Sequence, residues 1–422
     1  MKIDKKKISL YDLLICLTNA GDLISHEVAG HHKQVAYLAF RIGEQMDLSQ
    51  EEKKNLMLAG LLHDIGAFSL EERLAMIENE PPSPHDHAFR GARLLEEFPP
   101  LAGAAEIIRY HHVPWENGEG KIFCGGEVNP LSHILHLADR IAVSIDPNQN
   151  VIDQIDGIRE KVLQKKGSVF MPEAVDAFLE ISGNEYIWLD AVYEPLLYIL
   201  PTVMSFDVIE LDIDGILDLT KIFASIIDFR DPFTQNHSAG VAETAKKLAE
   251  LAGFSENECK MMYIAGNLHD LGKLAVDQSI LHKPGSLNTE ERNVMRSHTF
   301  YTYRLLQTIR GFETINRWAS FHHEKLNGKG YPFHLHSESI PLGSRIMAVA
   351  DVFTAITEDR PYRKALSLKQ ASAVLNAMVK DGSLCSYVVS LLLENIEAVD
   401  EARRDAQEKA KIKYHYVMKP VQ

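Results

Sequence analysis

Apolar residues recur at helical spacing along most of the chain. Leu58, Leu61, Leu62 and Ile65 follow one another at i, i+3, i+4 and i+7, the pattern of a helix with one buried face. Similar patterns lie on both sides of this segment, whereas the alternating pattern typical of strands is confined to few, short stretches such as 208–213. The hydrophobic pattern therefore predicts an all-α fold.

Two of the predicted helices begin with the same start signal. Ser49 is followed three residues later by Glu52, and Ser255 is followed three residues later by Glu258. A serine at this spacing from a glutamate is typical of a capping box at a helix N-terminus. Each signal precedes a segment that carries an adjacent His-Asp pair, so both pairs are expected on amphipathic helices.

Histidine and aspartate form two ordered sets along this helical pattern. Each set has five histidines and two aspartates. The first set is His31, His63, Asp64, His87, His111, His112 and Asp139, and the second is His237, His269, Asp270, His298, His322, His323 and Asp351. Counterparts are 206 residues apart at the start (His31 and His237) and 212 apart at the end (Asp139 and Asp351). This nearly constant offset indicates a tandem duplication in which the length changes fall in loops.

The duplication defines the predicted domain organisation. We predict a first repeat in residues 1–146, a helical connector in residues 147–212 and a second repeat in residues 213–422. A chain of 422 residues is long enough for two or three domains. The helical segment from about Leu10 to Ala20 is expected to pack on the first repeat.

Composition and charge narrow the classes of function. Hydrophobic residues make up 45% of the chain, but no run approaches the ~18 apolar residues that predict a membrane span. The basic N-terminus lacks a cleavage site, so no signal peptide is expected. Four scattered cysteines indicate a reducing cytoplasm rather than a disulfide framework or a zinc finger. A net charge of −15 argues against long nucleic acids as partners, although bound cations would still permit a small phosphate substrate.

The residue types in the two sets point to metal chemistry. Imidazole and carboxylate groups buried in a helical core need partners, and together they suit iron, manganese or zinc better than calcium. Asp64 and Asp270, each beside a histidine, can share their carboxylates between two cations. A pair of close cations can bind and deprotonate a water molecule. Each set therefore predicts a metal site that can activate water.

The second repeat resembles the HD-GYP family of the HD phosphohydrolase superfamily. The resemblance rests on the run His269 to Lys273, the run His322 to Pro332 with its Gly-Tyr-Pro ending, and Arg360-Pro361-Tyr362-Arg363. It covers roughly residues 214–400. It implies a phosphodiesterase that opens a cyclic dinucleotide, cyclic di-GMP or 3′,3′-cyclic GMP-AMP, to the linear form. The family uses two or three metal ions, usually iron or manganese.

The resemblance also implies a role for each matching residue. One metal would be held by His237, His269, Asp270 and Asp351, and the other by Asp270, His298, His322 and His323. Asp270 and Lys273 would be the catalytic residues, with Lys273 on a substrate phosphate. Tyr331 would contact a base, and Arg360 and Arg363 would lie near the phosphates.

Three positions depart from the family pattern. Phe233 stands where family members with three metals carry glutamate, which favours two metals here. Asn327 replaces an aspartate that is frequent in the family. Thr354 replaces an aspartate three residues after the last metal ligand. The last departure removes a usual guanine contact and leaves room for a mixed guanine–adenine ring.

The first repeat resembles only the broader superfamily. It keeps a full donor set, but Ala67 stands at the position of Lys273, and no Gly-Tyr-Pro follows His112. We expect this repeat to bind metal without the phosphate contact of the second repeat. Its role is open between a phosphomonoesterase (5′-nucleotidase) acting on nucleotide products and a silent sensor or dimerisation module, so a homodimer is one candidate assembly. A further alternative makes the whole chain a cyclic-dinucleotide receptor without turnover.

Overall fold

The computed structural model describes residues 7–23, 29–78, 84–193, 200, 209–230, 235–283, 285–359 and 363–421. Helices dominate this part of the chain, which confirms the all-α prediction. The strands within it form two short antiparallel pairs: β1 (Ile8–Ser9) with β4 (Glu210–Leu211), and β2 (Ile122–Phe123) with β3 (Gly126–Glu127). None of the described helices is both long and apolar enough to cross a lipid bilayer.

The described helices follow one another in an order that mirrors the duplication. Those before residue 200 are α1 (Leu10–Asp22), α2 (His31–Gln45), α3 (Gln50–Leu62), α4 (Leu70–Glu78), α5 (His85–Leu95), α6 (Ala102–Arg109), α7 (Pro130–Val143), α8 (Val151–Gln164), α9 (Pro172–Ile181) and α10 (Glu185–Val192). Those after it are α11 (Ile213–Asp228), α12 (His237–Leu251), α13 (Glu256–Leu268), α14 (Gln278–Leu281), α15 (Thr289–Arg296), α16 (His298–Gln307), α17 (Glu313–Ser320), α18 (Leu342–Ile356), α19 (Leu368–Lys380), α20 (Ser386–Glu394) and α21 (Ile396–Val417). Short 3-10 helices occupy Pro99–Leu101, Glu116–Lys121, Leu271–Ala275 and Ser337–Ser339.

The chain divides into two compact units. The described residues within 25–208 and 416–422 form the first unit, which contains the first His/Asp set. Those within 1–24 and 209–415 form the second unit, which contains the second set. Each unit therefore carries one complete set of candidate donors.

A close helix crossing is repeated in both units. A Cβ atom on Gly60 would lie 2.5 Å from the Ala36 Cα, and one on Gly266 would lie 2.4 Å from the Ala242 Cα. Only glycine permits so close an approach of α3 to α2 and of α13 to α12. The crossing brings the first histidine of each set, at the start of α2 or α12, next to the His-Asp pair that follows α3 or α13.

The predicted capping boxes are confirmed. The side chain of Ser49 accepts a hydrogen bond from the Glu52 backbone N–H, and the Glu52 carboxylate accepts one from the Ser49 N–H. Ser255 and Glu258 make the same reciprocal pair. Both helices that lead into a His-Asp pair are thus fixed at their N-termini.

The predicted packing of the N-terminal helix is wrong. Helix α1 packs on the 3-10 helix Leu271–Ala275 and on α16, which belong to the second unit. Strand β1 pairs Ile8 with Leu211, and the Leu10 N–H donates to the Ile209 carbonyl at 2.8 Å. An amphipathic pattern shows which face of a helix is buried but not which surface buries it. Here the pairing of β1 with β4 holds α1 on the second unit.

Residues 147–193 and 200 of the predicted connector lie in the first unit, whereas its last residues, 209–212, lie in the second. Helix α9 packs on α2 and α7, and α10 packs on α2 and α8. Trp188 on α10 is fully buried, and its indole N–H donates to the Ser182 carbonyl at 2.9 Å. These helices therefore extend the core around the first His/Asp set.

Candidate metal centres

The second set converges from five separate segments of the chain. His237 is the first residue of α12, and the His-Asp pair directly follows α13. His298 begins α16, His322 and His323 follow α17, and Asp351 lies in α18. All of these residues are buried except His323, which is partly exposed. The seven residues that the sequence nominated are therefore brought together in one cluster.

Asp270 lies between two groups of histidines. Its Oδ2 atom is 3.1 Å from the His269 Nε2, and its Oδ1 atom is 3.4 Å from the His298 Nε2. Although burial alone would raise it, the neighbouring His269 and Lys273 hold the pKa of Asp270 well below its usual range. The ionised carboxylate thus presents one oxygen to each group, which is the geometry of a bridging ligand.

Asp351 closes the cluster on the side of α18. Its Oδ1 atom lies 3.3 Å from the His237 Nε2, and its Oδ2 atom lies 4.0 Å from the His323 Nδ1. The Nε2 atoms of His298 and His322 are 3.4 Å apart. So short an approach of ring nitrogens in a core, facing carboxylates, is typical of donors that share a cation.

Backbone carbonyls fix the tautomer of three histidines. Each ring donates its Nδ1–H to the carbonyl three residues earlier: His269 to Gly266 at 2.7 Å, His298 to Met295 at 2.6 Å and His322 to Ala319 at 2.6 Å. The Nε2 lone pairs are therefore left facing the cluster. Burial lowers the pKa of His298 to about 3, and burial with the neighbouring His323 lowers that of His322, so both rings are neutral at pH 7.

The donor geometry fits divalent cations. One ligand atom from each of His237, His269 and Asp270 lies within 4.8 Å of the others, and the same holds for His298, His322 and His323. The buried Nε2 atom of His269 faces the Asp270 carboxylate, 3.1 Å away. A buried lone pair in this position is costly unless a cation or a donor satisfies it. Each of these groups is therefore able to hold a metal ion.

The first set builds an equivalent cluster. Asp64 lies 3.3 Å from the His63 Nε2 through Oδ2 and 3.1 Å from the His87 Nε2 through Oδ1. Asp139 Oδ1 lies 3.1 Å from the His31 Nε2. Two groups able to hold metal share Asp64: one is His31, His63 and Asp64, and the other is Asp64, His87, His111 and His112. All seven nominated residues of the first repeat are thus assembled as well.

The two clusters differ in the basic side chains beside them and in the loops that follow their His pairs. Lys273 contacts Asp270 Oδ2, whereas Ala67 offers no charge at the matching position of the first repeat. There Arg140 pairs with the Asp139 Oδ2 at 2.6 Å. The 3-10 helix Glu116–Lys121 and the β2–β3 hairpin follow the first His pair, where the second repeat has its Gly-Tyr-Pro loop.

The other residues nominated for substrate binding have different surroundings. The Tyr331 ring lies 4.9 Å from the His323 ring, centroid to centroid. The Arg363 guanidinium donates to the Ala355 carbonyl, and Thr354 is fully buried. Arg360 and Phe233 lie outside the described residues. Tyr331, which the sequence predicts to contact a base, therefore lies against the candidate ligand His323.

Sequence reasoning missed a carboxylate that orients His237. Glu358 is absent from the predicted donor sets, but it is buried and accepts from the His237 Nδ1 at 3.0 Å. Gln407 on α21 donates to the same carboxylate, and Arg403 donates in turn to Gln407. A carboxylate on the far nitrogen of a ligand histidine fixes its tautomer and raises its basicity. Glu358 is thus a supporting residue of the candidate centre.

Glu358→Ala is expected to weaken metal binding at the second centre about 10- to 100-fold, because His237 loses its orienting partner. Glu358→Gln keeps an acceptor oxygen and should lose less. Metal titration of the apo-protein measures the change. Asp359→Ala is the matched control, because that neighbouring carboxylate is exposed and pairs with Lys364 at 3.2 Å. Equal affinity in Glu358→Ala and in the control would contradict the role of Glu358.

Comparison with known proteins adds family information to this geometry. Models of the HD domain match residues 28–144 and 221–384. The 3′3′-cGAMP-specific phosphodiesterase 1 of Vibrio cholerae is 31% identical over 398 residues, covering 92% of each chain. The cyclic di-GMP phosphodiesterase response regulator RpfG of Xanthomonas campestris is 40% identical over 156 residues, covering 36% of this chain and 41% of that protein. The crystal structure of a cyclic GMP-AMP-specific phosphodiesterase of V. cholerae (V-cGAP3) matches with a TM-score of 0.62 and 22% identity, covering 93% of this chain and 98% of that one. The last match supports the fold.

Proposed function

Because this chain belongs to the HD-domain phosphodiesterase family, we propose that it hydrolyses a cyclic dinucleotide to the linear dinucleotide at the centre of its second repeat. The observation that carries the proposal is Asp270, whose two oxygens face two groups of histidines in a buried cluster. Lys273 and Tyr331 adjoin that cluster and occur only in the second repeat. The first repeat has equivalent donors but neither of these contacts, so the second is the proposed site of ring opening.

Each group of residues at the second centre would have its own role in hydrolysis. Two divalent cations held there would supply charge for the phosphate oxygens and activate a water molecule. Asp270 would set the spacing of the cations, since its carboxylate reaches both groups. Lys273, held beside Asp270, would place a positive charge on a non-bridging phosphate oxygen, where charge develops in the transition state. The buried histidines exclude bulk water, which strengthens each of these electrostatic contacts.

The base preference is proposed from the extent of the matches. The V. cholerae relative that matches along 92% of both chains is named for 3′3′-cGAMP, whereas RpfG, named for cyclic di-GMP, matches over 36% of this chain. We therefore propose 3′,3′-cyclic GMP-AMP as the preferred substrate and cyclic di-GMP as the second candidate. Iron or manganese is the proposed metal, in keeping with the imidazole-rich donor set.

A second candidate function concerns the first repeat. Its complete donor set favours catalysis, while the absence of a Lys273 counterpart and of Gly-Tyr-Pro argues against a cyclic dinucleotide as its substrate. We propose that it acts as a phosphomonoesterase on the linear product. A regulatory or dimerisation role is the alternative. The proposed compartment is the cytoplasm, which suits the four free cysteines.

Wild-type protein loaded with manganese or iron is expected to open 3′,3′-cyclic GMP-AMP faster than cyclic di-GMP. Chromatography of the products over time measures both rates and also detects removal of a terminal phosphate from the linear dinucleotide. Metal-free protein is the control. If neither ring is opened with either metal but cyclic dinucleotide still binds, the receptor alternative replaces the enzymatic one.

A further inference from the structure

Arg296 lies beside the second centre and is not among its candidate metal ligands. It is the last residue of α15 and lies two positions before the candidate ligand His298. Its guanidinium carbon lies 4.7 Å from the centroid of the Tyr331 ring, within the range of a cation–π contact. The Tyr331 ring in turn lies 4.9 Å from the His323 ring, with an interplanar angle of 37°. The Tyr331 ring thus contacts both the Arg296 guanidinium and the imidazole of the candidate ligand His323.

Among the described residues no carboxylate forms an ion pair with the Arg296 guanidinium, although the chain carries a net charge of −15. Nearby Lys283, by contrast, pairs with Glu291 of α15 at 2.6 Å. Arg296 is also only partly exposed. An unpaired guanidinium that is held by an aromatic face keeps its edge donors available for an anionic ligand.

The first repeat places a different pair at the same position. His85 lies two residues before His87, as Arg296 lies two residues before His298. Its ring contacts the Phe123 ring, with centroids 4.3 Å apart. Each repeat therefore sets a nitrogenous side chain on an aromatic ring next to its metal cluster. Only the second repeat gives that side chain a permanent charge.

We propose that Arg296 binds the cyclic dinucleotide directly, through the phosphate that is not being cleaved. The substrate ring contains two phosphates. While one phosphate lies on the cations, the Arg296 guanidinium, held on the Tyr331 ring, would take the other. Guanidinium donors match phosphate oxygens in geometry and charge. The inference rests on the proposed function and adds a residue that selects substrates with a second phosphate.

The test compares substrates with and without a second phosphate, using the full-length metal-loaded protein. For Arg296→Ala we expect KM to rise about 10- to 100-fold for 3′,3′-cyclic GMP-AMP and by the same factor for cyclic di-GMP, from the loss of a charged hydrogen bond. Turnover of bis(p-nitrophenyl) phosphate, which has one phosphate, should not change. Arg296→Lys keeps the charge and should recover part of the loss.

Arg304→Ala is the matched control. Arg304 also stacks on an aromatic ring, Phe300, at 5.2 Å, but it is exposed and donates to Gln307 at 3.0 Å. All rates of this control should equal those of the wild type.

Three results with an active wild type would overturn the assignment of Arg296. An equal loss on all substrates would mean that Arg296 only supports the ligand His298. A loss that depends on the bases would mean that Arg296 contacts a purine edge instead of phosphate. An unchanged KM would mean that there is no contact. Failure of the proposed function is distinct, since the wild type itself would then open no cyclic dinucleotide, and the inference would fall with it.

Discussion

Asp270→Ala is expected to lower the rate of ring opening at least about 10³-fold, because it removes the carboxylate that both groups of histidines share. The bridging geometry places one oxygen 3.1 Å from His269 and the other 3.4 Å from His298. Two-metal stabilisation of a phosphoryl transition state is worth several kcal/mol, and each ~1.4 kcal/mol is tenfold in rate. Product chromatography measures the rate, and elemental analysis of the same sample measures the metal content, which should fall in parallel.

Two further variants separate the repeats. Asp64→Ala removes the same carboxylate from the first centre and should leave ring opening intact, while any removal of a terminal phosphate from the linear product should stop. Asp218→Ala removes an exposed carboxylate that pairs with Lys221 at 2.9 Å, and it should change neither step. If Asp64→Ala stops ring opening and Asp270→Ala does not, the first repeat is the phosphodiesterase and the proposed assignment is wrong.

The donor clusters could be predicted because the sequence pattern of each donor is local and the whole set occurs twice. A histidine or aspartate on the buried face of a helix has few roles, and two ordered sets at a nearly constant offset left little ambiguity. The structure brings His237 and Asp351, which are far apart in sequence, to within 3.3 Å. The capping boxes were predictable for the same reason, since Ser49 and Glu52 interact within one helical turn.

Glu358 was missed although a weak signal exists. It lies seven residues after Asp351, which places it on the same face if the helical spacing of α18 is continued. A glutamate is ordinarily exposed, and only the fold shows that Glu358 is buried and hydrogen-bonded to His237 and Gln407. The packing of α1 had no signal of this kind, because an apolar helix face fits many surfaces.

Gly272 is needed for a reason that the local sequence does not show. A glycine soon after an apolar helical pattern is typical of a helix C-terminus. Helix α13 instead ends at Leu268, and Gly272 lies inside the 3-10 helix Leu271–Ala275. A Cβ atom on Gly272 would lie 1.9 Å from the His298 carbonyl oxygen. The first repeat has the same close approach, because a Cβ atom on Gly66 would lie 2.1 Å from the His87 carbonyl oxygen. The glycine is therefore needed for contact between the Asp ligand's loop and the third histidine.

Gly272→Ala is accordingly expected both to destabilise the second unit and to stop ring opening. The added methyl group must displace the backbone of His298 or of Asp270, and such overpacking costs about 1–3 kcal/mol or more. For a unit of this size the melting temperature should fall about 2–4 °C for each kcal/mol. Thermal unfolding of the apo-protein and product chromatography of the metal-loaded protein measure the two effects. A displacement of His298 away from Asp270 would also separate two donors that must meet one cation, so turnover should fall further than stability alone explains.

Gly157→Ala provides the matched control, because a Cβ atom there meets nothing within 4 Å and the residue lies inside helix α8. Alanine at that position should raise stability slightly, by roughly 0.5–1 kcal/mol, and leave turnover unchanged. Wild-type melting and turnover in Gly272→Ala would show that the His298 backbone can retreat without cost. The close approach repeated at Gly66 and Gly272 would then have no part in fixing the distance from the shared carboxylate to the third histidine.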